Sequence, residues 1–118
     1  MQEQPQKKSI LHAYERIEHI REQILSFQHA CSGTVVTIRN TCGKPTCRCA
    51  TDPSARHGPY YQWNRMKKGK LVHSSITEEQ AVKIRQAIKN FRAILRLLRA
   101  WEEECAKIFD VKKRRKSL

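Results

Sequence analysis

Three of the five cysteines of this chain lie within eight residues, at Cys42, Cys47 and Cys49. Their spacing is C-x4-C-x-C, and His57 follows eight residues after the last of them, beside a Gly-Pro pair. Thiolates and imidazole are donors that suit tetrahedral zinc, and clustered cysteines in a reducing compartment are more often metal ligands than a disulfide framework. The pattern predicts one structural zinc ion per chain, bound by Cys42, Cys47, Cys49 and His57.

The fourth ligand is the open part of this prediction. His57 is favoured because the Gly-Pro turn that follows can hold its ring near the loop. The alternatives are His73, Cys31 and His29. For Cys31 and Cys105, which lie on or beside predicted apolar helix faces, the sequence favours a packing role.

Two other interpretations of the cysteines compete with zinc. They are reduced structural thiols, or they are reactive thiols whose pKa values are lowered by the neighbouring Lys44 and Arg48. A covalent mechanism through Cys47 or Cys49 with His57 as base is the chemical basis for an enzyme. The C-x2-C redox motif is absent, however, and metal-dependent nucleases need converging carboxylates, of which the basic centre offers only Asp52. We therefore predict no catalytic residue and a non-enzymatic protein.

The composition points to a polyanionic partner. The 118 residues include 24 Lys and Arg against 11 Asp and Glu, a formal net charge of +13, and such a charge favours nucleic acid as ligand. The N-terminus lacks the apolar segment of a secretory signal, and no run approaches the length that spans a bilayer. We expect a cytoplasmic protein that does not bind membranes, built as a single domain with a core small enough to need a metal or oligomerisation.

The basic side chains form three groups. Five basic residues recur at helical spacing with no acid between the first and the last, so they share one stripe of a helix. A second group surrounds the cysteine loop and a predicted hairpin tip. Five more basic residues form a C-terminal tail. Guanidinium groups in such a row suit bidentate phosphate contacts. The predicted nucleic-acid-binding residues are Lys44, Arg48 and Arg56 at the loop, Lys67, Lys68 and Lys70 at the tip, Arg85, Lys89, Arg92, Arg96 and Arg99 on the helix, and Lys112, Lys113, Arg114, Arg115 and Lys116 in the tail.

These residues must be positioned by an α+β fold. A heptad repeat through Ile10, Ile17 and Ile24 predicts an amphipathic helix over 9–29, capped by Ser9 and ended near Gly33. Runs rich in β-branched and aromatic residues predict strands at 34–40, 60–66 and 71–76. We expect a three-stranded antiparallel sheet over 34–76 whose first connection is the cysteine loop, 41–59. A loop of that length needs a reason, and a bound metal is one.

The sequence TEEQ at 77–80 is a capping box that starts a long helix over 77–109, followed by a basic flexible tail at 110–118. The helix carries more apolar surface than a small sheet can cover. We expect it to pack on the first helix and on a second copy of itself. Tyr60, Tyr61 and Trp63 alternate along a strand, so at least one belongs to the core and the others are free to stack on bases.

The strings CGKPTCRC and HGPYYQW, followed by a KGK turn and a long helix, resemble a family of small uncharacterised bacterial and archaeal proteins often associated with transposable elements. The likeness covers about residues 33–100. It implies that Cys42, Cys47, Cys49, His57, Gly58, Pro59 and Tyr60 form one constellation, and its association with mobile elements is compatible with a DNA-linked role. It implies no established activity.

From these features we expect a zinc-stapled nucleic-acid-binding homodimer that prefers DNA to RNA. The alternative is an accessory subunit of a larger protein complex that docks a partner through its long helix. A cysteine-dependent enzyme is the third hypothesis.

Overall fold

The computed structural model describes the backbone of residues 5–116 and the side chains of residues 7–110. Helix α1 spans Pro5–Leu25 and helix α2 spans Glu78–Lys116. Between them lie three strands, and two short 3-10 turns occupy the connection from the first strand to the second. The strands are β1 (Thr34–Asn40), β2 (His57–Lys67) and β3 (Lys70–Ile76), and the turns are Arg48–Ala50 and Pro53–Ala55. The predicted α+β fold is confirmed.

The chain divides into two compact units. The helical unit comprises the described parts of residues 1–29 and 90–118, and the sheet unit comprises residues 30–89. Helix α2 contributes its first turns to the sheet unit and the remainder to the helical unit. Among the described residues, no helix has an apolar stretch of the length needed to cross a bilayer.

The core of the helical unit is formed by the heptad face of α1 against α2. Ala13, Ile17 and Ile108 are buried together, and half-buried Ile10, Trp101 and Cys105 pack against them. Burial of such side chains stabilises the unit by about 1.5–3 kcal/mol each. The predicted packing of the long helix on the first helix is confirmed, and Cys105 has the packing role expected of it.

Helix α1 is displaced toward the N-terminus from its predicted bounds. Ser9 lies inside the helix, so its predicted role as the N-cap is wrong. The helix ends at Leu25, well before Gly33, because the Ser26 hydroxyl donates to the carbonyl of Gln23 at 2.6 Å and competes with continued helical bonding.

Helix α2 is longer than predicted. Its capping box is confirmed, since Thr77 N donates to Gln80 Oε1 at 2.8 Å and Gln80 N donates to Thr77 Oγ1 at 3.1 Å. The helix continues past Phe109 to Lys116, because Lys and Arg are good helix formers and suit the negative end of the helix dipole. The side chains of the predicted basic tail lie outside the described residues.

The buried Glu104 links the two helices of this unit. Arg16 Nε donates to its carboxylate at 2.7 Å, and Lys107 Nζ donates at 3.1 Å. Burial raises the pKa of the Glu104 carboxyl, but the hydrogen bonds from Arg16 and Lys107 outweigh it, so the pKa is lowered overall from its ordinary 4.5. The contribution of this carboxylate to stability is therefore present above pH 4.5 and is lost as the pH falls through the lowered pKa of the folded state.

We expect the substitution Glu104→Gln to reduce the free energy of unfolding by about 1–3 kcal/mol at pH 7, because a buried charge-assisted pair is lost. Denaturant unfolding at several pH values measures it, and the difference from the unchanged chain should shrink below pH 4.5. The exposed neighbour provides a control, Glu103→Gln, expected to change stability by less than about 0.5 kcal/mol. A loss at pH 7 that persists unchanged in acid would contradict the ion-pair explanation.

In the sheet unit the strands pair in the order β1-β2-β3, both pairs antiparallel. A two-residue turn at Lys68 and Gly69, both with positive φ, joins β2 to β3, the geometry favoured by tight hairpins. The predicted sheet and hairpin are confirmed. Strand β2 begins three residues earlier than predicted, at His57, so His57 belongs to the sheet rather than to the loop.

Candidate metal centre

The cysteine loop is closed at its base by the sheet. His57, the first residue of β2, pairs with Asn40, the last residue of β1. The register shifts between Ile38 and Asn40, so that Gly58 and Pro59 face a single residue of β1. A bulge of this kind accommodates the proline, which has no N–H to donate. Because Asn40 is two residues before Cys42 in the chain, this pairing brings His57 beside the start of the loop.

Gly58 is required by this arrangement. Its φ is +123°, and a Cβ built at this position would lie 2.7 Å from the carbonyl oxygen of Ile38. Only glycine accepts both the positive φ and the close approach without strain. The glycine next to His57 thus fixes where strand β2 begins and where the histidine stands.

The middle of the loop is shaped by short backbone turns. Cys47 N donates to the carbonyl of Lys44 at 3.1 Å, and Ala50 N donates to the carbonyl of Cys47 at 3.0 Å. Asp52 caps the second 3-10 turn by accepting from Ser54 N and from Ser54 Oγ. These turns fold the C-x4-C-x-C segment back on itself, so that its three sulfurs converge.

Four ligand atoms meet at this point. Cys42, Cys47, Cys49 and His57 each offer one donor atom, and all four atoms lie within 4.8 Å of one another. Cys42 Sγ lies 3.6 Å from Cys49 Sγ, and Cys47 Sγ lies 3.4 Å from His57 Nε2. The cluster is suited to hold a metal ion, as the sequence predicts.

The other candidates for the fourth ligand are engaged elsewhere. His73 Nδ1 hydrogen-bonds Asn64 Oδ1 on the sheet. Cys31 Sγ lies 4.0 Å from the carbonyl oxygen of Ile84 in α2, and burial raises the pKa of its thiol, which agrees with the packing role expected for it. His29 lies in the helical unit, whereas the cluster belongs to the sheet unit.

The sulfurs of the cluster differ in acidity. The Cys49 backbone N–H, with the Cys49 and Cys42 thiols, lowers the pKa of the Cys47 thiol. For Cys49, the N–H of Cys42 also lowers the pKa, but burial and the adjacent thiols together raise it more. Negative charge therefore forms more readily at Cys47 than at Cys49. A metal ion would replace the thiol protons of the remaining sulfurs.

Basic residues surround the cluster and extend to the hairpin tip. Arg48 forms a salt bridge with Asp52 at 3.1 Å. The pKa of the Asp52 carboxyl is lowered, most by the two hydrogen bonds from Ser54 and next by the hydrogen bond from Arg48. Asp52 thus has a structural role as a cap, which the sequence did not predict. The predicted cations of this region are exposed, namely Lys44, Arg48, Arg56, Lys67, Lys68 and Lys70.

The predicted row along α2 is divided between the two units. Arg85 is fastened to the sheet, because it donates to Thr37 Oγ1 at 3.2 Å and its guanidinium lies 5.9 Å from the centre of the Tyr61 ring. Lys89 is exposed in the sheet unit. The other three members, Arg92, Arg96 and Arg99, are exposed in the helical unit. The tail cations Lys112, Lys113, Arg114, Arg115 and Lys116 lie outside the described side chains.

Comparison with known proteins assigns the family. A model described as a domain of unknown function, DUF6788, matches residues 12–86, more than half of the chain. The chain belongs to the DUF6788 family. The DUF6788 match includes all three strands and all four residues of the cluster. No curated protein and no solved structure matches the chain.

Proposed function

We propose that this protein is a non-enzymatic, zinc-stapled nucleic-acid-binding protein that prefers duplex DNA. The observation that carries the proposal is the combination, within one small unit, of a Cys3His cluster and a large excess of exposed positive charge. The metal supports the fold and the cations supply the affinity. We place its action in the cytoplasm, whose reducing conditions keep cysteines available as metal ligands. A link to mobile elements is part of the proposal through the family resemblance alone.

The donor set favours zinc. In a tetrahedral site with zinc–sulfur bonds of 2.3 Å, two sulfurs stand about 3.8 Å apart, close to the 3.6 Å between the sulfurs of Cys42 and Cys49. Three cysteines and one histidine leave no open coordination position, which is typical of structural rather than catalytic sites.

Charge is distributed unequally between the two units. The sheet unit carries eleven Lys and Arg against three Asp and Glu. The described side chains of the helical unit carry eight against seven. A polyanion is attracted most strongly to the sheet unit. This supports the proposal that the sheet unit is the part of the chain that binds nucleic acid.

Fluorescence anisotropy of the zinc-loaded protein with duplex DNA, duplex RNA and single strands tests the proposal. We expect submicromolar affinity for duplex DNA at 50 mM salt, weaker binding of RNA, and a steep linear loss of log affinity with log salt concentration. Absence of measurable binding to any nucleic acid at 50 mM salt would overturn the proposal.

A second candidate function is favoured by a specific feature of the helical unit. Leu98, Trp101, Cys105 and Phe109 line a shallow, mainly apolar groove of about 550 Å³ on α2, and Leu98 is 42% and Phe109 65% exposed. Because the described charges of this unit nearly cancel, two copies approach without strong repulsion. We propose that the occupant of the groove is a second copy of this chain, with an accessory subunit role in a larger complex as the alternative.

Charged side chains in this groove should therefore separate the copies. The double substitution Leu98→Glu, Phe109→Glu is expected to convert a dimer into a monomer at about 20 μM protein, because like charges cannot be buried against each other. Sedimentation velocity measures the change. The control is Leu25→Glu, on an α1 side chain that is 82% exposed and outside the groove; it should remain dimeric. A monomeric unchanged chain at that concentration would refute self-association.

A further inference from the structure

The register assigns the side chains of the sheet to two faces. Residues paired across antiparallel strands lie on the same face, so the odd-numbered residues of β2 share a face with Val35 and Thr37 of β1. The even-numbered residues of β2 share the other face with Val36 and Ile38 of β1, and with His73 and Ser75 of β3. The two faces have different neighbours.

The odd face is occupied by the protein itself. Arg85 of α2 contacts both Thr37 and Tyr61. The indole N–H of Trp63 donates to the carbonyl of Ser32 at 3.0 Å, and the Arg65 guanidinium lies 4.0 Å from the centre of the Trp63 ring. The alternation divides the aromatic residues between the faces as predicted, with Tyr61 and Trp63 half-buried on this face, but none of the three is among the buried core residues.

The even face presents polar side chains beside the apolar side chains of Val36, Ile38, Met66 and Leu71. Along the central strand it presents Tyr60, which is 53% exposed, then the amides of Gln62 and Asn64. The flanking strands add hydroxyl and imidazole groups at Thr34, His73 and Ser75. No Asp or Glu lies on this face within the paired residues. Glu78, which begins α2, lines a depression of about 500 Å³ together with Tyr60 and Gln62.

Positive charge stands at both ends of this face. The hairpin tip places Lys67, Lys68 and Lys70 at one end. The cysteine loop, which begins where β1 ends, carries exposed Lys44 and Arg56 at the other end. An elongated polyanion that follows the strands would meet cations at both ends, and uncharged polar and apolar side chains in between.

The dimensions of the face suit the major groove of DNA. Strands β2 and β3 form an antiparallel pair about 4.8 Å apart, and the major groove, about 12 Å wide, admits a two-stranded β-ribbon of this kind. Gln62 and Asn64 are separated by about 6.8 Å along the strand, which matches two base-pair steps of 3.4 Å. Side-chain amides of Asn and Gln bond both N6 and N7 of adenine. The bond to His73 uses one lone pair of Asn64 Oδ1 and leaves its Nδ2 free for such a contact.

We infer that the even face of the sheet is the surface that reads DNA sequence, with Gln62 and Asn64 contacting adenines in the major groove two base pairs apart. Thr34 and Ser75 on the outer strands donate to the phosphates along the groove walls. This inference rests on the proposed function, and it separates sequence reading by the amides from non-specific attraction by the lysines.

Selection from a random duplex DNA library with the zinc-loaded full chain tests the inference. We expect a consensus with adenines two positions apart, bound about a hundredfold more tightly than a scrambled duplex. The double substitution Gln62→Ala, Asn64→Ala should reduce that preference to less than about fivefold, while affinity for the scrambled duplex changes by less than about threefold. The matched control removes two exposed amides of the helical unit, Gln23→Ala with Gln28→Ala, and should keep the full preference.

The outcomes distinguish this inference from the proposed function. DNA binding without any selected consensus, or a preference that survives the double substitution, overturns the inference and leaves the proposed function standing. Selective binding of RNA alone also overturns it. No binding to DNA or RNA at low salt overturns both.

Discussion

Substitution of Cys49 by serine is expected to abolish metal binding and to unfold the cysteine loop. Cys49 is the most buried member of the cluster, at 2% exposure, and its sulfur accepts from the Cys42 backbone N–H at 3.3 Å. Its loss removes one zinc ligand and the sulfur at the centre of the loop. If free zinc is kept at about 1,000 times its Kd, the bound ion stabilises the fold by about 4 kcal/mol, and this contribution disappears in the variant.

Elemental analysis and thermal unfolding of the purified variant measure the two effects. The unchanged chain should hold one zinc ion, and the variant none, with a lower midpoint of unfolding. The matched controls are Cys31→Ser and Cys105→Ser, at cysteines outside the cluster, and both should retain the metal. A full equivalent of zinc in the Cys49 variant would show that the cluster is not the site.

The same measurement identifies the fourth ligand. His57→Ala should lower zinc affinity by tenfold or more, since three thiolates remain but the site is opened to water. His73→Ala should leave the affinity unchanged, because that ring bonds Asn64 on the sheet. The reverse pattern would move the ligand from His57 to His73.

Removal of the three lysines at the hairpin tip is expected to cause the largest loss of DNA affinity. In the variant with Lys67→Gln, Lys68→Asn and Lys70→Gln, three phosphate contacts disappear, and the slope of log affinity against log salt should fall by about 2.7. At 0.1 M salt, with the affinity at 1 M salt unchanged, this corresponds to a loss of about 500-fold. Asparagine is chosen at position 68 because the φ of Lys68 is +50°, and an Asn-Gly pair suits this turn.

The control separates local contact from net charge. Lys7→Gln, Lys8→Gln and Arg21→Gln remove the same three charges from exposed positions on α1, and the affinity should then change by less than about threefold at 0.1 M salt. Equal losses in both variants would show that the total charge, rather than the hairpin, attracts DNA.

Much of the fold could be predicted because its signals are local. The heptad of α1 and the capping box of α2 specify helices through neighbouring residues, and the Lys-Lys-Gly-Lys turn specifies a hairpin. The predicted bounds of α1 and β2 were wrong because of local backbone and side-chain interactions. Ser26 ends α1 early by bonding its own helix, and the bulge at Gly58 extends β2 back to His57, and neither effect has a periodic signature.

The sequence by itself indicated the three cysteines of the cluster, because thiolates at these spacings suit a metal site, and the structure selected His57 among the candidates for the fourth ligand. The sequence also determined the helices, the hairpin and the excess of positive charge. Only the tertiary structure decided which cations are free and which face of the sheet is open. Arg85 contacts Thr37 and Tyr61 of the sheet. Alternation along β2 defines two faces of the sheet, but it does not indicate which face the rest of the chain covers. That choice depends on contacts between residues distant in sequence, which no local pattern encodes.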